Sequence, residues 1–216
     1  MASLHLQPRY GPTLPQLIAA RLARLSPASQ LAVRVMSAMF VLALVAGAIL
    51  WPRAHGFSHT GAVDFDLKYA RALHRVPAGP GAYLKLQQTR NGLLVQSFEA
   101  DALTLPPYDG DPVGELPVYA TGYIRTLSGR FQGFRLLGEG KTRVNGQSGY
   151  TIVYSGRLGG RPITARDDLF VSDKPGRRDG VAIEMIETPA AHIGGPTLIG
   201  LNGPVGDTLQ SLSLNR

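Results

Sequence analysis

Residues 142–171, TRVNGQSGYTIVYSGRLGGRPITARDDLFV, decide the fold. In residues 150–154 (YTIVY), large apolar residues alternate with smaller ones, a period-2 pattern typical of a strand. Asn145-Gly146 and Gly159-Gly160 interrupt the strand pattern, and both dipeptides favour tight turns. Strands joined by such short turns must be antiparallel, because parallel neighbours need long crossover connections. The stretch therefore predicts part of an antiparallel sheet.

The segments on either side continue this pattern. Residues 63–69 alternate apolar and polar side chains, and residues 181–187 form a further apolar run of strand length. Residues 83–88 and 93–98 flank Arg90-Asn91-Gly92, and Asn-Gly is the strongest short-range hairpin signal. We therefore expect the sheet to continue through residues 63–187.

Two helices interrupt the strands. In residues 115–128, Leu116, Tyr119, Tyr123 and Leu127 recur at steps of three and four, which places them on one helical face. A shorter helix is predicted over residues 204–212. The fold class is therefore α+β, with an antiparallel sheet flanked by one or two helices.

A single transmembrane helix is predicted before this domain. The run 35–51 carries no formal charge, and Ser26-Pro27 is a favourable helix start. A helix over residues 28–52 is long enough to cross a hydrocarbon core of roughly 30 Å. The lipid bilayer is therefore an expected partner through residues 28–52. The side chains expected to anchor this segment are Arg34, Phe40, Leu44, Leu50 and Trp51.

Charge and composition divide the chain into a basic tail (1–27), a transmembrane signal-anchor (28–52), a linker (53–62) and a domain (63–216). Residues 1–63 hold five Arg and no Asp, Glu or Lys, so their net charge is +5. The remaining 17 basic and 15 acidic residues leave only +2 on the rest of the chain. Because a nucleic-acid-binding surface needs basic charge on the folded domain, no nucleic-acid partner is expected.

The expected location is the plasma membrane, with the N-terminus in the cytoplasm and the domain outside, since long domains translocate largely regardless of charge. The chain has no Cys, which excludes disulfides and fits a bacterial extracytoplasmic protein and a cytosolic protein equally well, so the expected location rests on the hydrophobic run. Two alternatives stay open: a secreted module released by signal-peptide cleavage near Ala48, and a mitochondrial transit peptide.

The motifs that suggest catalysis are incomplete. Gly140-Lys141-Thr142 matches the end of a phosphate-binding loop, but Arg135 stands where the pattern needs Gly, and a strand follows instead of a helix. The calcium-loop pattern that begins at Asp109 fails at Val113. The sequence favours a non-enzymatic protein with no cofactor, metal or catalytic residue. A membrane-tethered hydrolase with a site near His192 is the alternative.

A basic cluster is the candidate binding surface. If the strands align, its side chains form a basic rim at one end of the sheet, near His192. Such a rim could meet anionic lipid headgroups, an envelope polymer or an envelope protein, and a solvated face of mixed charge is the alternative. The cluster consists of Arg157, Arg161, Arg166, Lys174, Arg177 and Arg178.

The order of elements in residues 63–216 resembles the PsbP-like fold, including the LpqN-type actinobacterial lipoproteins. The resemblance is carried by an early strand (VDFDLKY), a helix before the hairpins (ELPVYATGYIRTLSG), the strand unit quoted above, a further strand (VAIEMIE) and a closing helix (PVGDTLQSLSL). It implies an accessory or binding module at a membrane. This chain lacks the lipobox Cys, so the transmembrane helix would replace the lipid. We therefore expect a single-pass, membrane-anchored extracytoplasmic binding or accessory domain.

Overall fold

A computed structural model describes residues 26–50, 54–172, 177–191 and 194–214. The chain divides into two compact units, Met1–Trp51 and Pro52–Arg216. The first contains a single described helix, and the second contains a mixed α+β domain. The predicted α+β class with antiparallel sheets is therefore confirmed.

The described part of the first unit is helix α1, Pro27–Leu50. Ser26 precedes it, and the Ser26 Oγ accepts a hydrogen bond from the Ser29 N–H at 3.3 Å. Of the predicted anchoring side chains, Phe40 is exposed, Trp51 lies outside the described residues, and those of Arg34, Leu44 and Leu50 are not described. Taken over the described residues, no helix of this protein is long and apolar enough to cross a membrane.

The second unit contains two antiparallel sheets. The strands are β1 His55–His59, β2 Phe65–Tyr69, β3 His74–Val76, β4 Ala82–Arg90, β5 Leu93–Thr104, β6 Gln132–Val144, β7 Gln147–Leu158, β8 Arg161–Val171, β9 Asp179–Glu187 and β10 Ser213–Leu214. The larger sheet has seven strands in the order β3-β4-β5-β9-β8-β7-β6, and the smaller has the order β1-β2-β10. The helices of this unit are α2 Pro112–Arg130 and α3 Gly203–Gln210, with single 3₁₀ turns at Pro189–Ala191 and Pro196–Leu198.

Two structural layers cover the two faces of the large sheet. Helix α2 begins after Asp111, whose Oδ1 accepts a hydrogen bond from the Val113 N–H at 3.2 Å, and it lies on β6, β7 and β8. The core beneath it includes Leu116, Leu127, Ile152, Ala165 and Leu169. On the opposite face, α3 and the small sheet enclose a second core that includes Phe65, Leu84, Phe98, Ile183, Val205 and Leu209. The central strands are therefore buried on both faces.

Both predicted Asn-Gly hairpins form. Asn91 and Gly92 have φ values of 52° and 73°, and Asn145 and Gly146 have 48° and 83°. Positive φ at both central residues defines the type I′ turn, which matches the twist of the flanking strands. The Asn145 side-chain amide also donates to the Gln210 carbonyl and, at 2.8 Å, to the Leu212 carbonyl. Asn145 therefore connects the β6–β7 turn to the end of α3.

We predict that Asn145→Gly destabilises the domain by about 1–2 kcal/mol, because it preserves the turn and removes two hydrogen bonds. Asn91→Gly is the matched control, since it makes the same change in the other type I′ turn, at an exposed residue. Its effect should stay within about 0.5 kcal/mol. Urea unfolding of both variants measures the difference, and equal midpoints would contradict the tethering role of Asn145.

The predicted linker 53–62 differs from the observed structure, because residues 55–59 form strand β1. This strand pairs with β2 in register from His55–Tyr69 to His59–Phe65. Phe57 packs against the core, and the His59 ring lies 3.9 Å from the Tyr83 ring, centroid to centroid. The His55 ring also lies 5.4 Å from the Tyr69 ring, so both histidines of this strand pack against tyrosine rings.

Candidate functional site

The structure does not bring the described members of the predicted basic cluster to one end of the sheet. Arg157 and Arg161 flank the exposed β7–β8 turn, whereas Arg177 and Arg178 precede β9 near the opposite end of β8. Strand β8 has 11 residues, so these two pairs lie roughly 30 Å apart at about 3.3 Å per residue. Lys174 and His192 lie outside the described residues.

The remaining member of that cluster, Arg166, is buried at 8 % exposure. Its Nε donates to Asp168 Oδ1 at 3.0 Å, and its Nη1 donates to the Ile199 carbonyl at 3.3 Å. A third bond joins Nη2 to Thr142 Oγ1 at 3.3 Å. Burial raises the pKa of Asp168, and the Arg166 guanidinium opposes that rise. Arg166 therefore holds internal elements together and presents no charge to solvent.

Under α2 lies a polar network that the sequence reading missed. Asp167 is fully buried, and its carboxylate accepts hydrogen bonds from the Tyr123 hydroxyl at 2.8 Å and the Tyr154 hydroxyl at 3.1 Å. Glu184 lies opposite Asp167 on β9, and Arg130 donates to its two oxygens at 2.7 and 3.0 Å. The Tyr154 hydroxyl also lies 3.2 Å from Glu184 Oε1, so it bridges the two acids.

Burial raises the pKa values of the acids on this face. The pKa of Asp167 is raised by burial and then by the negative charge of Glu184, and the two tyrosine hydroxyls oppose the shift. Farther along the sheet, Asp101 has a pKa raised to about 6 by burial, with Glu99 and Glu184 adding to the effect. Hydrogen-bond donors from α2 and β7 engage Asp167 and Glu184, so this network stabilises the helix on the sheet.

A different arrangement occurs on the opposite face, at the end of β9. Glu187 is 3 % exposed, and within the described part of the chain neither carboxylate oxygen has a hydrogen-bond partner. It pairs with Gln96 of β5 on one side and Thr164 of β8 on the other. Burial alone raises the pKa of Glu187 to about 7. Buried polar groups normally have partners, so this carboxylate requires an explanation.

Two cavities flank the strand ends around Glu187. The cavity that contains Glu187 has a volume of about 210 Å³, and its lining includes Thr164, Thr188, Gly195, Pro196 and Ile199. The second cavity, of about 410 Å³, lies by Gln96 and is also lined by Gln88, Arg90, Leu198, Asn202 and Pro204. Within residues 26–50, 54–172, 177–191 and 194–214, no group of three or more His, Asp or Glu residues could hold a metal ion. The linings of the two cavities offer a carboxylate, hydroxyls and side-chain amides to a ligand.

Sequence reasoning did not identify Glu187 or the acids under α2. The available signal was acidic residues inside apolar strand runs, as in ARDDLFV and VAIEMIE. On a strand with one solvated face such residues point to water, but both faces of β8 and β9 are covered. A nearly continuous apolar run indicates a strand that is buried on both faces. An acidic residue inside such a run is the sequence pattern that would have indicated these buried acids.

Comparison with solved structures shows which known fold this chain shares. No family model and no curated protein sequence matches the chain. The solution structure of cyanobacterial PsbP (CyanoP) from Synechocystis sp. PCC 6803 is similar at a TM-score of 0.54 and 12% identity, covering 75% of this chain and 92% of that one. The crystal structure of LpqN, involved in cell envelope biogenesis of Mycobacterium tuberculosis, is similar at a TM-score of 0.55 and 15% identity, covering 80% and 97%. The chain therefore has a PsbP- and LpqN-like fold, as the order of its elements predicts.

Proposed function

We propose that this protein is a membrane-anchored binding or accessory module whose α+β domain lies outside the cytoplasm. The cavity at Glu187 is the observation that carries the binding function. The acids under α2 have hydrogen-bond donors from the protein, whereas Glu187 has none among the described residues. A structural role explains the first group. A buried acceptor that faces a cavity is better explained by a ligand that supplies the missing donors.

Two further observations support the proposed location. The first is the uncharged run over residues 35–51, which has the composition of a lipid-facing helix. The second is the fold shared with LpqN, a protein involved in cell envelope biogenesis. The bilayer would hold residues 28–52, and the domain would meet an envelope protein or polymer.

A topology experiment tests the location. A reporter that is active only outside the cytoplasm, fused after Arg216, is expected to be active, and the full chain should stay with membranes in alkaline carbonate. The double variant Phe40→Arg/Leu44→Arg should release it, because each central Arg costs about 2.5–3 kcal/mol of insertion free energy. Phe40→Leu/Leu44→Ile is the matched control and should stay membrane-bound.

Two results would overturn the location: release of the unmodified chain by carbonate, or activity of only a cytoplasmic reporter. The intact mass of the native protein separates an anchor from a module cleaved near Ala48. Cross-linking in native membranes, followed by mass spectrometry, would then identify the envelope partner.

A further inference from the structure

The carboxylate of Glu187 is buried at the point where β9 ends. Its side chain is 3 % exposed, it lines the 210 Å³ cavity, and both of its oxygens lack partners among the described residues. An ionised carboxylate only accepts hydrogen bonds, so it needs N–H or O–H groups from a neighbour or a ligand. Leaving a buried acceptor unpaired is unfavourable, which makes the cavity selective for hydrogen-bond donors.

The neighbouring donors bond to other groups. The Gln96 Nε2 donates to Gln88 Oε1, and the Thr188 hydroxyl donates to the Leu94 and Val95 carbonyls. Arg166 lies two residues beyond Thr164 on β8, on the same face of the sheet as Glu187. It donates to Asp168 and to the Ile199 carbonyl. Thus, in the described part of the chain, no cationic side chain pairs with the negative charge of Glu187. The cavity therefore offers a ligand the hydrogen-bond acceptors and the single negative charge of the Glu187 carboxylate.

We propose that this cavity binds the cationic nitrogen of a ligand, either a primary ammonium or a guanidinium group, through the Glu187 carboxylate. Both groups carry several N–H donors and one positive charge, which matches a single buried carboxylate. Thr164, directly opposite on β8, adds a hydroxyl to the same cavity. The inference rests on the proposed binding function and is independent of the membrane location.

The size of the cavity sets the kind of ligand. A volume of about 210 Å³ is below the range of roughly 300–1,000 Å³ that is typical of drug-sized ligands. The cavity therefore suits a cationic head on a short aliphatic stem, with the rest of the ligand outside it. A small organic amine and the basic side chain of a partner protein share this chemistry, and the experiment distinguishes them.

The experiment titrates purified full-length protein, in detergent micelles at pH 8, with butylamine. Titration calorimetry and the carboxyl ¹³C shift of Glu187 report binding. Butanol is the ligand control, because it has the same stem without the charge. Glu187→Gln keeps the shape of the side chain and removes the charge, and Asp207→Asn removes an exposed acidic charge on α3 as the matched control. Thr164→Val tests the opposing hydroxyl.

We expect butylamine to bind saturably and to lower the pKa of Glu187, while butanol does neither. Glu187→Gln should weaken binding by about tenfold or more, Thr164→Val by a few-fold, and Asp207→Asn should have no effect. If Glu187→Gln does not fold, the ¹³C titration of the unmodified protein still decides. A short lysine-containing peptide forms the second arm: tighter binding of the peptide identifies a protein partner, and tighter binding of butylamine identifies a small amine.

The proposal is overturned if neither probe shifts the Glu187 carboxyl signal, or if Glu187→Gln binds butylamine as well as the unmodified protein does. A negative result for amine binding at Glu187 is distinguishable from a negative result for the proposed membrane location. The reporter and carbonate measurements depend on residues 28–52 and do not involve the cavity.

Discussion

Arg130→Met is expected to destabilise the domain by about 2 kcal/mol at pH 8 and by clearly less at pH 5. Glu184 is 4 % exposed, and Arg130 donates to both of its oxygens. Removing one partner of a buried ion pair typically costs about 3–5 kcal/mol, because the other charge stays buried without compensation. The Arg130 side chain is 48 % exposed, so water screens the pair and the expected loss is smaller.

The pH dependence follows from the pKa values of the acids. Burial raises the pKa of Glu184, and Arg130 opposes that rise, so removing Arg130 raises the pKa further. A carboxyl whose pKa is higher in the folded than in the unfolded state holds more protons when folded. Its stability contribution is therefore lost as pH rises from the unfolded value, near 4.5, through the folded pKa. Protonation of Glu184 relieves the uncompensated buried charge of the Arg130→Met protein at low pH, so its loss of stability grows as pH rises.

Arg125→Met is the matched control, because Arg125 lies on the same helix and is exposed. Its effect should stay within about 0.5 kcal/mol at both pH values. Urea unfolding at pH 5 and pH 8 measures the free energies. An equal loss at both pH values for Arg130→Met would contradict the electrostatic role and favour lost packing.

Tyr154→Phe is the second large effect, with an expected loss of about 2 kcal/mol. The Tyr154 hydroxyl is fully buried and lies between Asp167 at 3.1 Å and Glu184 at 3.2 Å. Without it, Asp167 keeps only Tyr123 among the described donors to its carboxylate. An unsatisfied buried acceptor costs about 1–3 kcal/mol, so the loss exceeds that of an ordinary hydrogen bond.

Tyr108→Phe, at an exposed tyrosine, is the control and should change stability by less than about 0.5 kcal/mol. The double variant Tyr123→Phe/Tyr154→Phe should cost more than the two single variants together, because it removes both described tyrosine donors to Asp167. Chemical unfolding of these four variants and of the unmodified protein gives these values. A stability of Tyr154→Phe equal to that of Tyr108→Phe would show that the bridge contributes nothing.

The predicted elements that the structure confirms depend on local chemistry. The Asn-Gly pairs at residues 91–92 and 145–146 require positive φ at both positions, and few other residue pairs tolerate it. The face of α2 that carries Leu116 and Leu127 follows from helical periodicity alone. Information of this kind is present within a few residues, so no knowledge of distant contacts is needed.

The predictions that differ from the structure depend on distant residues. Strand β1 forms because β2 offers it a partner and the core accepts Phe57, neither of which a window over residues 53–62 contains. Arg166 looks like a surface charge in an alternating strand, yet α3, the small sheet and the segment near Ile199 cover that face. Burial of a strand on both faces is a property of the layers packed against it.

The amino-acid sequence by itself determined the hairpins, the antiparallel pairing and the amphipathic helix, because turn geometry and side-chain periodicity operate within a few residues. Only the tertiary structure decided which charges are buried and which of them have partners. Asp167, Glu184 and Glu187 are all acids within apolar strands, and the sequence does not distinguish them. Asp167 and Glu184 face α2 and receive its donors, whereas Glu187 faces a cavity, because side-chain direction and register place it on the other side of the sheet.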